Sequence, residues 1–158
     1  MLDKISLILV IIGALNWGSI GLFQFDIVGW ICGGQDSIVA RIIFTLVALA
    51  GPFGNVITAF VCIHFARLFP ALFTSYGAIG FLRAMIYTNI GLAAFNLIPI
   101  PPLDGSRILF LFLPPRLSYL WYRLEQYGIF IVLLLLATNI LPVIMNPIFT
   151  LLFRLVFI

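Results

Sequence analysis

A proline-broken segment places a single carboxylate at the end of an otherwise uncharged, membrane-length apolar run. The segment is Asn96-Leu97-Ile98-Pro99-Ile100-Pro101-Pro102-Leu103-Asp104-Gly105. An ionisable side chain in a membrane-spanning region is energetically expensive, so it indicates a functional site by default. Asp104 is therefore the leading candidate for a site residue. The structural alternative is that its carboxylate caps a helix that begins just after it.

A carboxylate such as that of Asp104 could bind a metal ion, but a metal site would need further ligands, and this chain has few of them. A catalytic zinc takes three protein ligands and a water, and histidines at positions i and i+4 share one helical face. The chain has one histidine, His64, and therefore no such pair. Cys62 does not complete the set, because residues i and i+2 of a helix point apart. We predict no catalytic residues and interpret His64 as an interfacial residue.

The composition identifies an integral membrane protein. Of the 158 residues, 64% are hydrophobic and 8% are charged, whereas about a quarter of the residues of a soluble domain are charged. The net charge of +3 comes from scattered lysines and arginines. Because no basic block could follow a phosphate backbone, nucleic-acid binding is disfavoured. Cys32 and Cys62 are interpreted as free thiols that pack against apolar neighbours.

Membrane-spanning helices are the elements that must position Asp104. Because about 20 apolar residues cross the hydrocarbon core, we predict spans at residues 5–25, 42–66, 84–98 and 127–145. Segments 108–113 and 149–158 are too short to span and are expected to be half-helices or interfacial. The predicted fold class is an all-α polytopic membrane protein with about four transmembrane helices, short half-helices and a proline-broken re-entrant segment.

The segments between these spans differ in character. Residues 26–41 are rich in glycine and favour a loop. Residues 67–83 are apolar but interrupted by proline and glycine, which is typical of a re-entrant or interfacial loop. Residues 116–127 mix arginine with tyrosine and tryptophan, a composition found at the level of the lipid headgroups. We expect an interfacial turn or short helix there.

The second predicted span carries a proline in the sequence Gly51-Pro52-Phe53-Gly54-Asn55. Inside a helix, Pro52 removes a backbone donor and frees a carbonyl that a neighbour must satisfy. Gly51, Pro52 and Asn55 could form a packing kink that lets another helix approach, or they could shape a substrate site. The sequence does not decide between these alternatives.

The third predicted span carries two asparagines. Asn89 and Asn96 lie seven residues apart, so they share one helical face. They could hydrogen-bond between helices, or they could belong to the site.

The proline segment follows this span directly. Pro99, Pro101 and Pro102 forbid helix and are expected to force extended backbone. At membrane depth such backbone must be buried in protein or must line a wet cavity. Gly105 would allow a close approach, and Ser106 could cap a helix that begins after it.

From residue 46 onward the sequence resembles the later half of the bacterial site-2 protease family, the intramembrane zinc metalloproteases. The resemblance is carried by Ala50-Gly51-Pro52-Phe53-Gly54-Asn55, by Asn89 and Asn96, by Pro99-Ile100-Pro101-Pro102-Leu103-Asp104-Gly105-Ser106-Arg107-Ile108-Leu109, by Leu113-Pro114-Pro115-Arg116, and by Leu124-Glu125-Gln126-Tyr127-Gly128.

The resemblance implies that Asp104, as the aspartate of the family's Leu-Asp-Gly motif, is a zinc ligand. In that family the other two ligands are histidines of a His-Glu-x-x-His helix, whose glutamate is the general base. This sequence has no such helix, and Glu125 has no histidine near it. Zinc is therefore the cofactor that the resemblance implies, but we do not expect this chain alone to bind it. Whether the chain is an enzyme stays open.

The first part resembles a different family, the small two-span membrane proteins classed as domain of unknown function 378. The matching residues are Gly13-Ala14-Leu15-Asn16-Trp17-Gly18, Gly21-Leu22-Phe23, Phe25-Asp26-Ile27-Val28 and Arg41-Ile42-Ile43. This resemblance implies a topology but no mechanism. Because the two resemblances meet within residues 45–51, we predict a first domain at 1–50 and a second at 46–158 that share one span.

These features are compatible with three functions. The chain could be a protease-like membrane protein that lacks hydrolytic machinery and binds transmembrane segments. It could be a structural or interaction protein whose motif residues serve only folding. It could also be one half of a metalloprotease that a second chain completes. The expected partners are membrane lipid and transmembrane helices of other proteins, not nucleic acid, and the expected location is the bacterial cell membrane.

Overall fold

The computed structural model describes residues 2–158, which form helices and turns with no strand in that range. The helices are α1 (Leu2–Phe23), α2 (Ile27–Ile31), α3 (Ile38–Leu68), α4 (Tyr76–Asn96), α5 (Gly105–Leu111), α6 (Ser118–Gln126), α7 (Gly128–Ala137) and α8 (Ile140–Val156). Short 3₁₀ turns at Pro70–Leu72 and Pro115–Leu117 precede α4 and α6. The predicted all-α class is confirmed.

Two helices of the described chain, α3 and α4, are long and apolar enough to cross a membrane, with mean hydropathies of 2.0 and 1.4. A third span results if α6 and α7, which meet at a bend of 59°, are counted together. α8 and the Ile11–Phe23 part of α1 are apolar but shorter. The polytopic membrane character is therefore confirmed, with two or three long spans and additional short apolar helices in this part of the chain.

The connection between α3 and α4 is shorter than predicted. α3 continues through Pro52 to Leu68, and α4 already begins at Tyr76. Ser75 Oγ accepts a hydrogen bond from Ala78 N at 3.2 Å and so caps α4. The prediction of a loop over residues 67–83 is wrong for 76–83, because this cap starts a helix in which glycines are tolerated among apolar residues.

The span predicted for residues 127–145 is divided. α7 ends at Ala137, and Asn139 adopts a left-handed conformation with φ of 57° before α8 begins. Asparagine enters this conformation more readily than most residues. One continuous span is therefore wrong, and most of residues 149–158, predicted as a separate short segment, belong to α8. Segment 108–113 lies largely in the short helix α5, as predicted.

The main apolar core lies between α3, α4 and α8. Its buried residues are Ala59, Ile63, Ile86, Ile90, Ala93, Ala94, Leu152 and Val156. The three alanines are fully buried, as expected where small side chains let membrane helices approach closely. A second buried cluster of Ile98, Leu103, Val132 and Leu141 packs the proline segment against α7 and α8.

Arg41, near the start of α3, connects the first part of the chain to the second. Its side chain is buried, with the residue 3% exposed. The guanidinium donates to the Phe110 carbonyl at 3.2 Å, to the Leu113 carbonyl, and to Ser118 Oγ at 2.7 Å. It also pairs with Asp36 at 3.3 Å. Because the Phe110 carbonyl lies in the last turn of α5 and the Leu113 carbonyl just beyond it, the cation also offsets the negative end of that helix.

Replacing Arg41 by leucine should destabilise the protein by several kcal/mol, because each buried carbonyl that loses its donor costs about 1–3 kcal/mol. Thermal unfolding of the purified protein in detergent measures the effect. The control is Arg83→Leu, which removes an exposed arginine of α4 and should change the stability by no more than about 0.5 kcal/mol. Equal stability of the two variants would contradict the role assigned to Arg41.

Candidate functional site

Asp104 occupies the N-cap position of α5, but its side chain makes no capping hydrogen bond. Its backbone is already in the right-handed helical region, with φ −59° and ψ −35°, whereas a capping residue adopts an extended conformation. Because α5 begins at Gly105, Ser106 lies inside the helix, and the predicted Ser106 cap is wrong. The carboxylate of Asp104 is therefore not used to start the helix.

The Asp104 carboxylate lies against α3 at Gly51. A Cβ atom placed on Gly51 would be 3.4 Å from Asp104 Oδ2, so the absence of a side chain there leaves room for the carboxylate. Pro52 is buried within α3, and Asn55 is half-buried one turn further on. Two residues that were predicted from separate motifs, Gly51 and Asp104, are thus neighbours in the fold.

The proline segment folds back on itself instead of running extended. Ile100 N donates to Ile98 O at 2.8 Å and Leu103 N donates to Ile100 O at 2.9 Å, which are the bonds of consecutive turns. The prediction of extended backbone over Pro99, Pro101 and Pro102 is therefore wrong. The prolines exclude helix but leave their neighbours free to close turns.

Two glycines make this compact arrangement possible. A Cβ on Gly105 would overlap the carbonyl groups of Leu97 and Ile98, and a Cβ on Gly128 would overlap the carbonyl of Pro101. The close approach predicted for Gly105 is observed. Gly128, the first residue of α7, allows the same kind of close backbone contact. Both glycines hold the segment that ends at Asp104.

A cavity of about 360 Å³ opens beside Asp104. Its polar lining residues include Asn16, Asp26, Gln35, Asp104, Arg107 and Glu125. Pro102 also lines it, together with apolar side chains of α1 and α3. Arg107 Nη2 forms an ion pair with Glu125 Oε1 across the cavity wall. The cavity is thus enclosed by residues from both the first and the second part of the chain.

The electrostatic environment of Asp104 disfavours its charged form. Asp104 lies in the connection between α4 and α5, outside the spanning helices. Burial raises the pKa of its carboxyl group above the ordinary value of 3.8, and the positive charge of Arg107 opposes part of that effect.

The residues around Asp104 do not fit a three-ligand zinc site. Among the residues that the structure describes, no group of three or more histidine, cysteine, aspartate or glutamate side chains could hold a metal ion. His64 lies more than three turns beyond Gly51 on α3, about 20 Å along the helix axis, and its Nδ1 is 2.9 Å from the carbonyl of Phe60. Cys32 and Cys62 are free thiols, as predicted.

The two predicted asparagines lie apart from this cavity. Asn89 Nδ2 donates to the Met85 carbonyl of its own helix at 2.8 Å, and Asn96 is the last residue of α4. Neither side chain lines the cavity. A role for them in a site remains a prediction.

Sequence reasoning did not identify Asn16, Asp26 and Arg107 as site residues. Asp26 N-caps α2 through its bond from Gly29 N at 2.9 Å, and Asn16 Oδ1 accepts from Val28 N at 3.0 Å. The only signal was that Asn16 is a polar residue within an apolar predicted span. That these residues face Asp104 depends on the packing of α1 against α3.

Alanine at Gly105 should destabilise the fold by about 1–3 kcal/mol, as expected for overpacking, because the added methyl group would overlap backbone carbonyls. The control is Gly91→Ala, where a Cβ meets nothing within 4 Å; in a helix this change should be neutral or stabilise by up to about 1 kcal/mol. Thermal unfolding in detergent measures both. Equal tolerance of the two changes would show that the segment is not packed as described.

Asparagine at Asp104 should leave the protein folded and at least as stable as the wild type, because the carboxylate makes no capping bond and burial raises its pKa. A folded-state pKa above the unfolded value means that wild-type stability falls as the pH rises from 3.8 through the raised pKa. The stability advantage of Asp104→Asn should therefore grow across that window and then level off. Thermal unfolding as a function of pH measures it, and a less stable variant above the window would contradict the assignment.

Comparison with known proteins identifies relatives for each part. Residues 1–61 match the family "Domain of unknown function (DUF378)", and residues 70–135 match "Peptidase family M50". The uncharacterized membrane protein YuzA of Bacillus subtilis is 58% identical over 50 residues, which are 32% of this chain and 64% of that protein. No solved structure matches the chain.

Two proteins described as putative zinc metalloproteases are similar to the second part. YwhC of Bacillus subtilis is 36% identical over 104 residues, covering 62% of this chain and 48% of YwhC. Rip2 of Mycolicibacterium smegmatis is 34% identical over 111 residues, covering 69% of this chain and 39% of Rip2. The chain thus spans less than two thirds of the length of each of these relatives. It is a multi-pass membrane protein of site-2-protease-like character, with the two-part resemblance to DUF378 and peptidase family M50 that its motifs predicted.

Proposed function

We propose that this chain is a site-2-protease-like membrane protein that does not hydrolyse peptide bonds on its own and that binds transmembrane segments of other proteins beside Asp104. The observation that carries the proposal is the position of the Asp104 carboxylate. It lies uncapped against Gly51, at the edge of a cavity, and is surrounded by too few ligands for zinc.

The absence of hydrolysis by this chain alone is inferred from its donor groups. A catalytic zinc needs three protein ligands, and Asp104 is the single residue that the family resemblance supplies. His64 is too far along α3 to join it. A metal at Asp104 would therefore need ligands from another polypeptide, which is the alternative in which a second chain completes a protease.

The proposed binding function uses the backbone and carboxylate of the proline segment. Pro99, Pro101 and Pro102 have no N–H group, so this segment presents acceptors and few donors. A bound transmembrane segment that is locally unwound would offer N–H groups to Asp104 and to free carbonyls. Asn89 and Asn96, on one face of α4, could provide further hydrogen bonds between helices.

A second candidate function is a structural or interaction protein without a site. The close packing of Gly105 and Gly128 against backbone carbonyls favours it, since folding alone would then account for these motif residues. Under this alternative, no partner should depend on the polar residues of the segment.

Metal analysis and a protease assay test the proposal. The purified chain should contain less than one zinc per molecule and should not cleave a membrane-embedded reporter. Stoichiometric zinc that is lost in Asp104→Ala, together with cleavage that a chelator abolishes, would contradict the proposed lack of hydrolysis.

Photo-crosslinking in native membranes tests the binding function. A crosslinker at the exposed Pro102 should capture transmembrane segments, and Asn89→Ala with Asn96→Ala should reduce the yield. The matched control is Thr138→Ala, because Thr138 bonds the carbonyl four residues earlier in its own helix, as Asn89 does. If the crosslinking yield is unchanged in the asparagine variant, or is reduced equally in Thr138→Ala, the result would favour the structural alternative.

A further inference from the structure

The cavity beside Asp104 is built jointly by the two parts of the chain. The first part contributes Asn16, Trp17 and Asp26, and the second contributes Asp104 and Arg107. Its volume of about 360 Å³ falls within the range of roughly 300–1,000 Å³ typical of small-molecule sites. Neither part of the chain encloses this space alone.

Two polar groups of the lining lack partners. Asn16 is 4% exposed, and its Oδ1 is bonded to Val28 N. Its Nδ2 donates to no group among the described residues, and the Asp104 carboxylate accepts no hydrogen bond from them. Both groups line the cavity, and a hydrogen bond made in such a partly enclosed site is stronger than one made in bulk water. A ligand that bonded to both groups would therefore gain affinity from them.

The remaining charged groups of the lining already have partners. Asp26 accepts from Gly29 N and from Gln35 Nε2 at 2.6 Å, and Glu125 is paired with Arg107. The lining therefore carries three carboxylates, those of Asp26, Asp104 and Glu125, against the one guanidinium of Arg107. Of the three, the carboxylate of Asp104 is the one without a hydrogen bond from the described residues. A positive group is its natural complement, because a partly buried charge is stabilised chiefly by an opposite charge.

We propose that this cavity binds an organic cation, an ammonium or guanidinium group on an apolar stem. The charged head would lie at Asp104, and the stem would lie along Trp17, Ile20 and Val47, which supply the apolar wall from α1 and α3. A hydrogen-bond acceptor on the ligand would satisfy Asn16 Nδ2. A free amine and a lysine or arginine residue of a polypeptide share this chemistry. The inference does not rest on the capture of transmembrane segments, because it requires only α1, the cavity and a small ligand.

Equilibrium dialysis of the full chain in lipid nanodiscs tests the proposal with isotope-labelled n-butylammonium, n-butanol and n-butyrate as probes. Butylammonium should bind more tightly than the uncharged butanol and the anionic butyrate. Asp104→Asn should weaken its binding at least about tenfold, as expected for the loss of a charge-assisted hydrogen bond. The control is Arg83→Gln, which changes the net charge by one at an exposed residue of α4 outside the cavity and should leave the affinity within about twofold of wild type.

A second variant keeps the test valid if Asp104→Asn folds poorly. Trp17→Ala shortens an exposed side chain of α1 that lines the cavity, and it should weaken butylammonium binding several-fold while leaving the protein folded. Equal binding of butylammonium and butanol, or butylammonium binding that is unchanged in the variants at Asp104 and Trp17, would overturn the proposal.

A second probe distinguishes the two sources of the cation. N-acetyl-lysine methylamide adds carbonyl acceptors to the same ammonium and stem. Tighter binding of this probe than of butylammonium would assign a polypeptide side chain, and weaker or equal binding would assign a free amine. Either result supports the cation site, whereas the crosslinking experiment alone decides the capture of transmembrane segments.

Discussion

The buried guanidinium of Arg41 joins the two parts of this protein. Its donors reach the carbonyls of Phe110 and Leu113, at and beyond the end of α5, and the hydroxyl of Ser118 at the start of α6. One turn further along α3, Thr45 Oγ1 donates to the Arg107 carbonyl at 3.0 Å. Because α5 begins directly after Asp104, these bonds fix the position of Asp104 relative to α3.

Close backbone contacts also hold the proline segment in place, in addition to the hydrogen bonds of Arg41. Gly105 and Gly128 let the carbonyls of the proline segment approach α5 and α7 to distances that no side chain would permit. The prolines keep this segment out of a helix, and the turns between them return the chain to α3. The motif residues that resemble the protease family therefore have a packing role in this fold, whichever activity the chain supports.

The result is a carboxylate without a hydrogen-bond partner among the described residues, at a cavity lined by residues similar to two different families. In the protease family that position is completed by histidines from a further helix, whereas here α1 lies across the cavity with Asn16 and Trp17. The groups that line the cavity from α1 thus include an amide and an aromatic ring. Such a lining suits a polar ligand with an apolar body better than a metal ion, because it has no imidazole and its carboxylates are not grouped closely enough to hold a metal among the described residues.

The sequence by itself determined the membrane class, the helical fold, the two-part resemblance and the shortage of histidines, because these depend on composition, apolar run length and local motifs. It also predicted that Gly105 would allow a close approach. It extended the loop before α4 too far and missed the break at Asn139, since a helix cap and a left-handed residue outweigh hydropathy there. Only the tertiary structure decided that Gly51 lies against Asp104, that Arg41 bonds to residues about seventy positions away, and that Asn16 shares a cavity with Asp104. These contacts join residues far apart in the chain, and their geometry is set by helix packing, which local sequence patterns do not record.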